Sequence, residues 1–170
     1  MAKSSFFIRA SVNGGNTSAF AQTEIDLGSY TNLGSSKPEV LRIHNVRFFM
    51  TDTVGQSPTM TGDTSDSAAW QLTTQSQTAL VLATDDSFVA GGNGGYRNAD
   101  SSVGPATQAN EETILPQDFV NGYVTAVPSL FLGGLGGGNY TEDVVFSVIL
   151  ECTTESMSKA NAVALAVSQQ

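Results

Sequence analysis

The chain has 170 residues, the length of one ordinary domain, and can bury a core without help from disulfides or metals. Charged residues make up 14% of it against roughly 25% in an average domain, so uncharged Ser, Thr, Asn, Gln and Gly supply most of its polar surface. Its net charge of -9, with seven scattered Lys and Arg, argues against phosphate-backbone binding and against docking on an anionic membrane.

The N-terminal Met-Ala-Lys-Ser-Ser-Phe-Phe-Ile-Arg does not read as a signal peptide, because its apolar run stops at Arg9. Phe6, Ile8, Ala10 and Val12 alternate with Phe7, Arg9 and Ser11, which predicts a strand over 6–12. Asn13-Gly14-Gly15-Asn16 reads as a turn, followed by a second strand over 19–27 with Ala21, Thr23, Ile25 and Leu27 on one face. After a Gly- and Ser-rich connection, residues 40–50 carry the strongest strand pattern. Leu41 and Ile43 share one parity and Val46, Phe48 and Met50 the other, so a bulge is expected near His44-Asn45.

Further strands are expected over 69–75 and 79–83, with a short one over 87–90. Residues 91–113 show little periodicity and read as a long loop, a feature that usually marks function or partner contact. Strands at 122–127 and 130–132 precede a flexible link or tight crossover at Gly133 to Gly138. The last strand, 143–152, is apolar on one face through Val144, Phe146, Val148, Leu150 and Cys152, and partly on the other through Val145 and Ile149, so it should be covered on both sides. Helical spacing begins after Ser156, a plausible N-cap, and the stripe Met157, Ala160, Ala164 and Val167 should dock on something. The expectation is a single all-β domain over 1–170, with strands over about 6–152 forming a sandwich, a barrel or a jelly roll of two packed antiparallel sheets, and one short C-terminal helix over about 156–168.

Residues that could carry chemistry are few. His44 is the one histidine and Cys152 the one cysteine, so a Ser-His-Asp, Cys-His or zinc site has almost nothing to draw on. Cys152 falls in a strand and reads as a small core hydrophobe, and His44 as a local hydrogen-bonding group or subunit contact. Asp63, Asp66, Asp85 and Asp86 lie in or near expected turns and leave a calcium ion open, without EF-hand spacing. The glycine clusters are not followed by Lys-Ser/Thr and a helix, so they are turn chemistry and not phosphate loops. Asn16-Thr17-Ser18 and Asn139-Tyr140-Thr141 match a glycosylation sequon by chance if the chain is not secreted. No catalytic, cofactor or metal residue is assigned, and the chain is read as a non-enzyme.

The aromatic residues say more. Phe6-Phe7 and Phe48-Phe49 place one ring on each face of a strand; one can enter the core and the other needs a partner. Phe7, Phe49, Tyr96, Met157 and Val167 are therefore the candidate subunit-interface residues.

Three stretches carry a family resemblance: the opening Ser5-Phe6-Phe7-Ile8-Arg9, the long strand Leu41-Arg42-Ile43-His44-Asn45-Val46-Arg47-Phe48, and the close from Val144 to Glu151 running into Ser158 to Gln169. In layout the chain resembles the single jelly-roll capsid proteins of tailless, icosahedral, membrane-containing DNA viruses of archaea and bacteria. The resemblance implies a jelly roll of about eight strands and a capsid subunit, major or minor, that assembles with copies of itself and other capsid proteins. It implies a place in the virion after synthesis in the host cytoplasm, with an internal viral membrane as a neighbour. The acidic charge argues against direct contact with nucleic acid. A decoration, spike or fibre protein and a glycan-binding β-sandwich module stay open as alternatives.

Overall fold

A computed structural model describes residues 4–169. In chain order it contains β1 (Phe6–Gly15), β2 (Ala21–Asp26), β3 (Glu39–Thr51), β4 (Thr59–Met60), β5 (Thr64–Thr73), β6 (Phe88–Asn98), β7 (Gly104–Pro105), β8 (Thr107–Ile114), a 3-10 turn at Pro116–Asp118, β9 (Tyr123–Thr125), β10 (Ser129–Gly136), β11 (Val144–Ser156) and helix α1 (Lys159–Ser168). One sheet has the order β1-β11-β3-β9 and the other β2-β10-β5-β6-β8, while β4 and β7 form a two-stranded annex. Every pairing is antiparallel.

The connectivity identifies the fold. Strand β1 pairs with β11, β2 with β10, β3 with β9 and β5 with β6. First thus pairs with last, second with next to last, and so inward, as in one long hairpin rolled up so that alternate pairs fall in opposite sheets. That is a jelly roll of eight principal strands, with β8 added outside β6 and β4–β7 bridging the loops. The expected bulge in β3 is present: Asn45 faces Glu151 and Ile43 faces Cys152, leaving His44 as the extra residue. That extra residue lets Leu41, Ile43 and Val46 all point inward.

The core between the sheets is filled by Ile8, Val12, Leu41, Ile43, Val46, Leu72, Leu130, Leu132, Val148 and Leu150 around a column of rings. Phe48 lies parallel on Trp70 at 4.5 Å between centroids and also stacks on Phe146 at 5.9 Å. Glycines make room for these rings. A Cβ at Gly14 in β1 or at Gly134 in β10 would strike the Phe146 ring, and one at Gly92 would come within 2.9 Å of Trp70 Nε1. Gly134→Ala should therefore destabilise the fold by about 1–3 kcal/mol through overpacking, seen as a lower thermal midpoint.

This accounts for two departures from the expected elements. Residues 91–113 are not one long loop: β6 and β8 occupy most of the stretch. Gly91, Gly92, Gly94 and Gly95 remove the side-chain alternation by which a strand is recognised, and β8 is exposed at every position, so neither strand shows an apolar face. Likewise Gly133 to Gly136 belong to β10 and do not form a flexible link.

The expected strand over 79–83 is not formed. Its chain is held beside β5 by a side chain instead of a backbone ladder: Gln71 Nε2 donates to the Ala79 carbonyl at 3.1 Å and its Oε1 accepts from Val81 N–H at 2.7 Å. Gln71 is buried and both its amide atoms are satisfied in this way.

The helix also differs from expectation. Strand β11 runs on to Ser156, and Ser158 is the N-cap, its hydroxyl accepting from Asn161 N–H. The face that docks is Ala162 and Ala166, with Leu165 and Met157 beside them, packed on Val40, Val124 and Ala126. Ala160, Ala164 and Val167 point away. In an alanine-rich helix the apolar stripe is nearly the same on several faces, so the partner surface selects the one buried.

The end of the helix is locked by Gln169. Its buried Oε1 accepts from Thr125 Oγ1 and Ala126 N–H, and its Nε2 donates to Tyr123 Oη at 3.0 Å and the Val124 carbonyl at 2.7 Å. Thr74 Oγ1, beyond β5 of the other sheet, donates to the Gln169 carbonyl. Burial raises the Tyr123 hydroxyl above its ordinary value, and the hydrogen bond with Gln169 partly offsets this. Gln169→Ala would leave the Thr125 hydroxyl and the Ala126 N–H buried without that partner, and should cost about 2 kcal/mol or more in a denaturant melt.

Candidate interaction surface

Strands β1, β11 and β3 present one continuous outer face, and registry fixes its rows. Phe7, Glu151 and Asn45 form one row; Arg9, Ile149 and Arg47 the next; Ser11, Ser147 and Phe49 the third. Phe7 is 53% exposed and Phe49 55%, while Phe6 and Phe48 turn into the core. Val145 and Ile149 are half-buried, so the outer side of β11, expected to be covered, is open at this end of the sheet.

The face divides into three zones along β3. Helix α1 covers Val40 at one end. The middle is a polar ladder between β3 and β11. Arg42 binds Glu155 through both carboxylate oxygens, at 3.0 and 2.7 Å, and also donates to the Asn121 carbonyl. His44 Nε2 lies 2.9 Å from Thr153 Oγ1, and Asn45 Nδ2 donates to Glu151 Oε2 at 2.9 Å. The far end carries Phe7, Ile149 and Phe49 with Arg9 and Arg47. Arg9 lies over the Phe7 ring at 5.6 Å, and neither arginine forms an ion pair among the described residues. Uncovered rings beside unneutralised guanidinium groups make a surface suited to another protein, because aromatic residues and arginine are enriched where interfaces bury them.

The remaining candidate residues lie apart from this face. Tyr96 sits in β6, half-buried against the core and edge-on to Tyr140 at 6.3 Å. Met157 is half-buried beneath the helix, and Val167 is 65% exposed on the helix's outer side. The structure thus brings Phe7 and Phe49 onto one surface and leaves Tyr96, Met157 and Val167 elsewhere. Sequence reasoning missed Ile149, Arg9 and Arg47 as members of the patch; their one signal was strand parity with Phe7 and Phe49.

Of the groups considered for chemistry, His44, Cys152, Asp66 and Asp85 are structurally engaged. Burial, with a smaller contribution from the Glu151 charge, pushes the Cys152 thiol up to about 12. It stays protonated at neutral pH and is a core side chain facing Ile43 across the bulge. Native protein should therefore resist thiol labelling until denaturant unfolds it; rapid labelling of the folded state would contradict that placement. Above an unfolded thiol value near 9, the unfolded chain releases this proton while the folded chain keeps it, so Cys152 lowers stability as pH rises from about 9 to 12.

Asp66 accepts from the backbone N–H groups of Ser67 and Asn139, and Asp85 from the N–H and hydroxyl of Ser87. Those hydrogen bonds hold the Asp85 carboxyl below its ordinary value. Among the described residues, no three His, Cys, Asp or Glu side chains gather as a metal site would require.

No protein-family model matches the chain, and no curated protein matches it. Solved viral structures do. Apo New Jersey polyomavirus VP1 aligns with 91% of this chain and 100% of its own at 7% identity, with a TM-score of 0.47. The Merkel cell polyomavirus virus-like particle aligns with 92% of this chain and 76% of its own at 7% identity, TM-score 0.49. Desmodium yellow mottle tymovirus aligns with 92% and 89% at 12% identity, TM-score 0.37. These neighbours are viral capsid proteins.

Proposed function

We propose that this chain is a structural subunit of a viral capsid, assembling with copies of itself and with other capsid proteins, and that it is not an enzyme. The observation that carries this reading is the open end of the four-stranded sheet, where Phe7, Phe49 and Ile149 stand on one strand face beside two arginines that form no ion pair among the described residues. A jelly roll serves shells, lectins and metal-dependent cupins alike. Here the engaged state of His44, Cys152, Asp66 and Asp85 favours the shell over the cupin. The broad sheet face of exposed rings and arginines favours contact with another protein.

Within this reading, the tailless, membrane-containing, icosahedral viruses are the group that the sequence resemblance supports. The subunit would be made in the host cytoplasm and end in the virion, with an internal membrane among its neighbours and no direct nucleic-acid contact. Its net charge of -9 supports the last point. Light scattering over a concentration series tests the proposal. A capsid subunit gives discrete oligomers or large particles as concentration rises; a monomer throughout would overturn the reading.

A further inference from the structure

A second surface complements the aromatic patch. On the outer face of the five-stranded sheet, a pocket of about 230 Å³ is lined by Glu112 and Asn93 and walled by Leu80, Phe88 and Ile114. The Phe88 ring packs over Gly91, where a Cβ would lie 2.8 Å from it, and so stands as one wall. Leu80 and Ile114 are exposed, and Glu112 takes part in no ion pair among the described residues. The pocket falls below the roughly 300–1,000 Å³ of small-molecule sites, so it is sized for a side chain.

We propose that this pocket receives Phe49 of a second copy while Glu112 pairs with Arg47 of that copy, in a head-to-tail contact; the inference rests on the assembly reading above. Arg47 and Phe49 are two residues apart on one strand and so share a face, and neither side chain is covered. The chemistry matches: a ring for apolar walls and a guanidinium for a free carboxylate. Charge also selects the geometry. If the aromatic patch paired with its own copy about a two-fold axis, it would bring Arg9 and Arg47 of both chains together. No carboxylate stands in the Arg9–Ile149–Arg47 row itself: Glu155 is engaged by Arg42, and Glu151, which accepts from Asn45 and keeps its charge, lies one row away. A contact between two different surfaces avoids that repulsion and, repeated, generates rings or larger arrays.

The experiment is a charge exchange on the full chain, followed by sedimentation velocity. Wild type, Arg47→Glu, Glu112→Arg and the double variant are compared, with circular dichroism checking that each is folded. Each single variant should need at least tenfold more protein to assemble. The double variant should regain wild-type assembly, as should an equimolar mixture of the two singles. Wild-type assembly unaffected by either single substitution would overturn this contact, and so would loss in the singles without recovery in the double variant. Both outcomes leave the assembly reading standing. A wild-type protein that stays monomeric would instead remove the assembly reading, and this contact with it.

Discussion

Phe146→Ala should destabilise the chain by about 3–5 kcal/mol, among the largest losses that one substitution produces. The ring is fully buried in β11, the central strand that β1 and β3 flank. It is the one side chain that glycines approach from both sheets, Gly14 beside it and Gly134 across from it. Alanine would leave a void bounded by two residues that have no side chains with which to fill it, so relaxation around the cavity should be small. At roughly 2–4 °C per kcal/mol for a chain of this size, the thermal midpoint should fall by about 6–20 °C. Phe146→Leu should lose less, since it keeps most of the apolar volume. A loss below about 1 kcal/mol for Phe146→Ala would mean that the two sheets do not close on this ring.

On the capsid-subunit proposal, the second large effect should fall on assembly and spare the fold. Phe7→Ser and Phe49→Ser remove exposed rings from a strand face, so the isolated domain should melt within about 1 kcal/mol of wild type. Buried at a subunit contact, an aromatic anchor contributes about 2 kcal/mol or more, which is roughly thirtyfold in affinity for each contact. Assembly should therefore shift to much higher protein concentration in either variant and be lost in the double one. Phe6→Ser and Phe48→Ser serve as the opposite control. Phe6 stacks on Tyr30 at 4.7 Å and Phe48 on Trp70 at 4.5 Å, so both should reduce stability first and assembly as a consequence. Normal assembly of the Phe7 and Phe49 variants, with loss confined to the Phe6 and Phe48 variants, would place the interface elsewhere.

Strands with an apolar face against the core were legible from residues alone. The alternation in β1 and β11 marked both as strands, and the parity change between Ile43 and Val46 placed a bulge near His44-Asn45, which registry puts at His44. Strands β6 and β8 were hidden for a physical reason. In β6 the space that side chains would fill belongs to Trp70 and Tyr96, so glycine stands where an apolar residue would have marked the strand. Strand β8 lies at a sheet edge, exposed along its length, and leaves no pattern. Helix α1 was legible as a helix but not in its rotation, which depends on Val40 and Val124 far away in sequence. The candidate interaction surface was half legible. Paired phenylalanines announced outward rings, but the rows that bring Arg9, Ile149 and Arg47 between them come from registry across three strands.

Electron microscopy of the purified chain at rising concentration, under conditions where it melts as a folded protein, tests the central claim most directly. A capsid subunit should appear as rings, sheets or closed shells with a regular spacing between copies. A field of single small domains at every concentration, alone and with the other proteins of its particle, would contradict it.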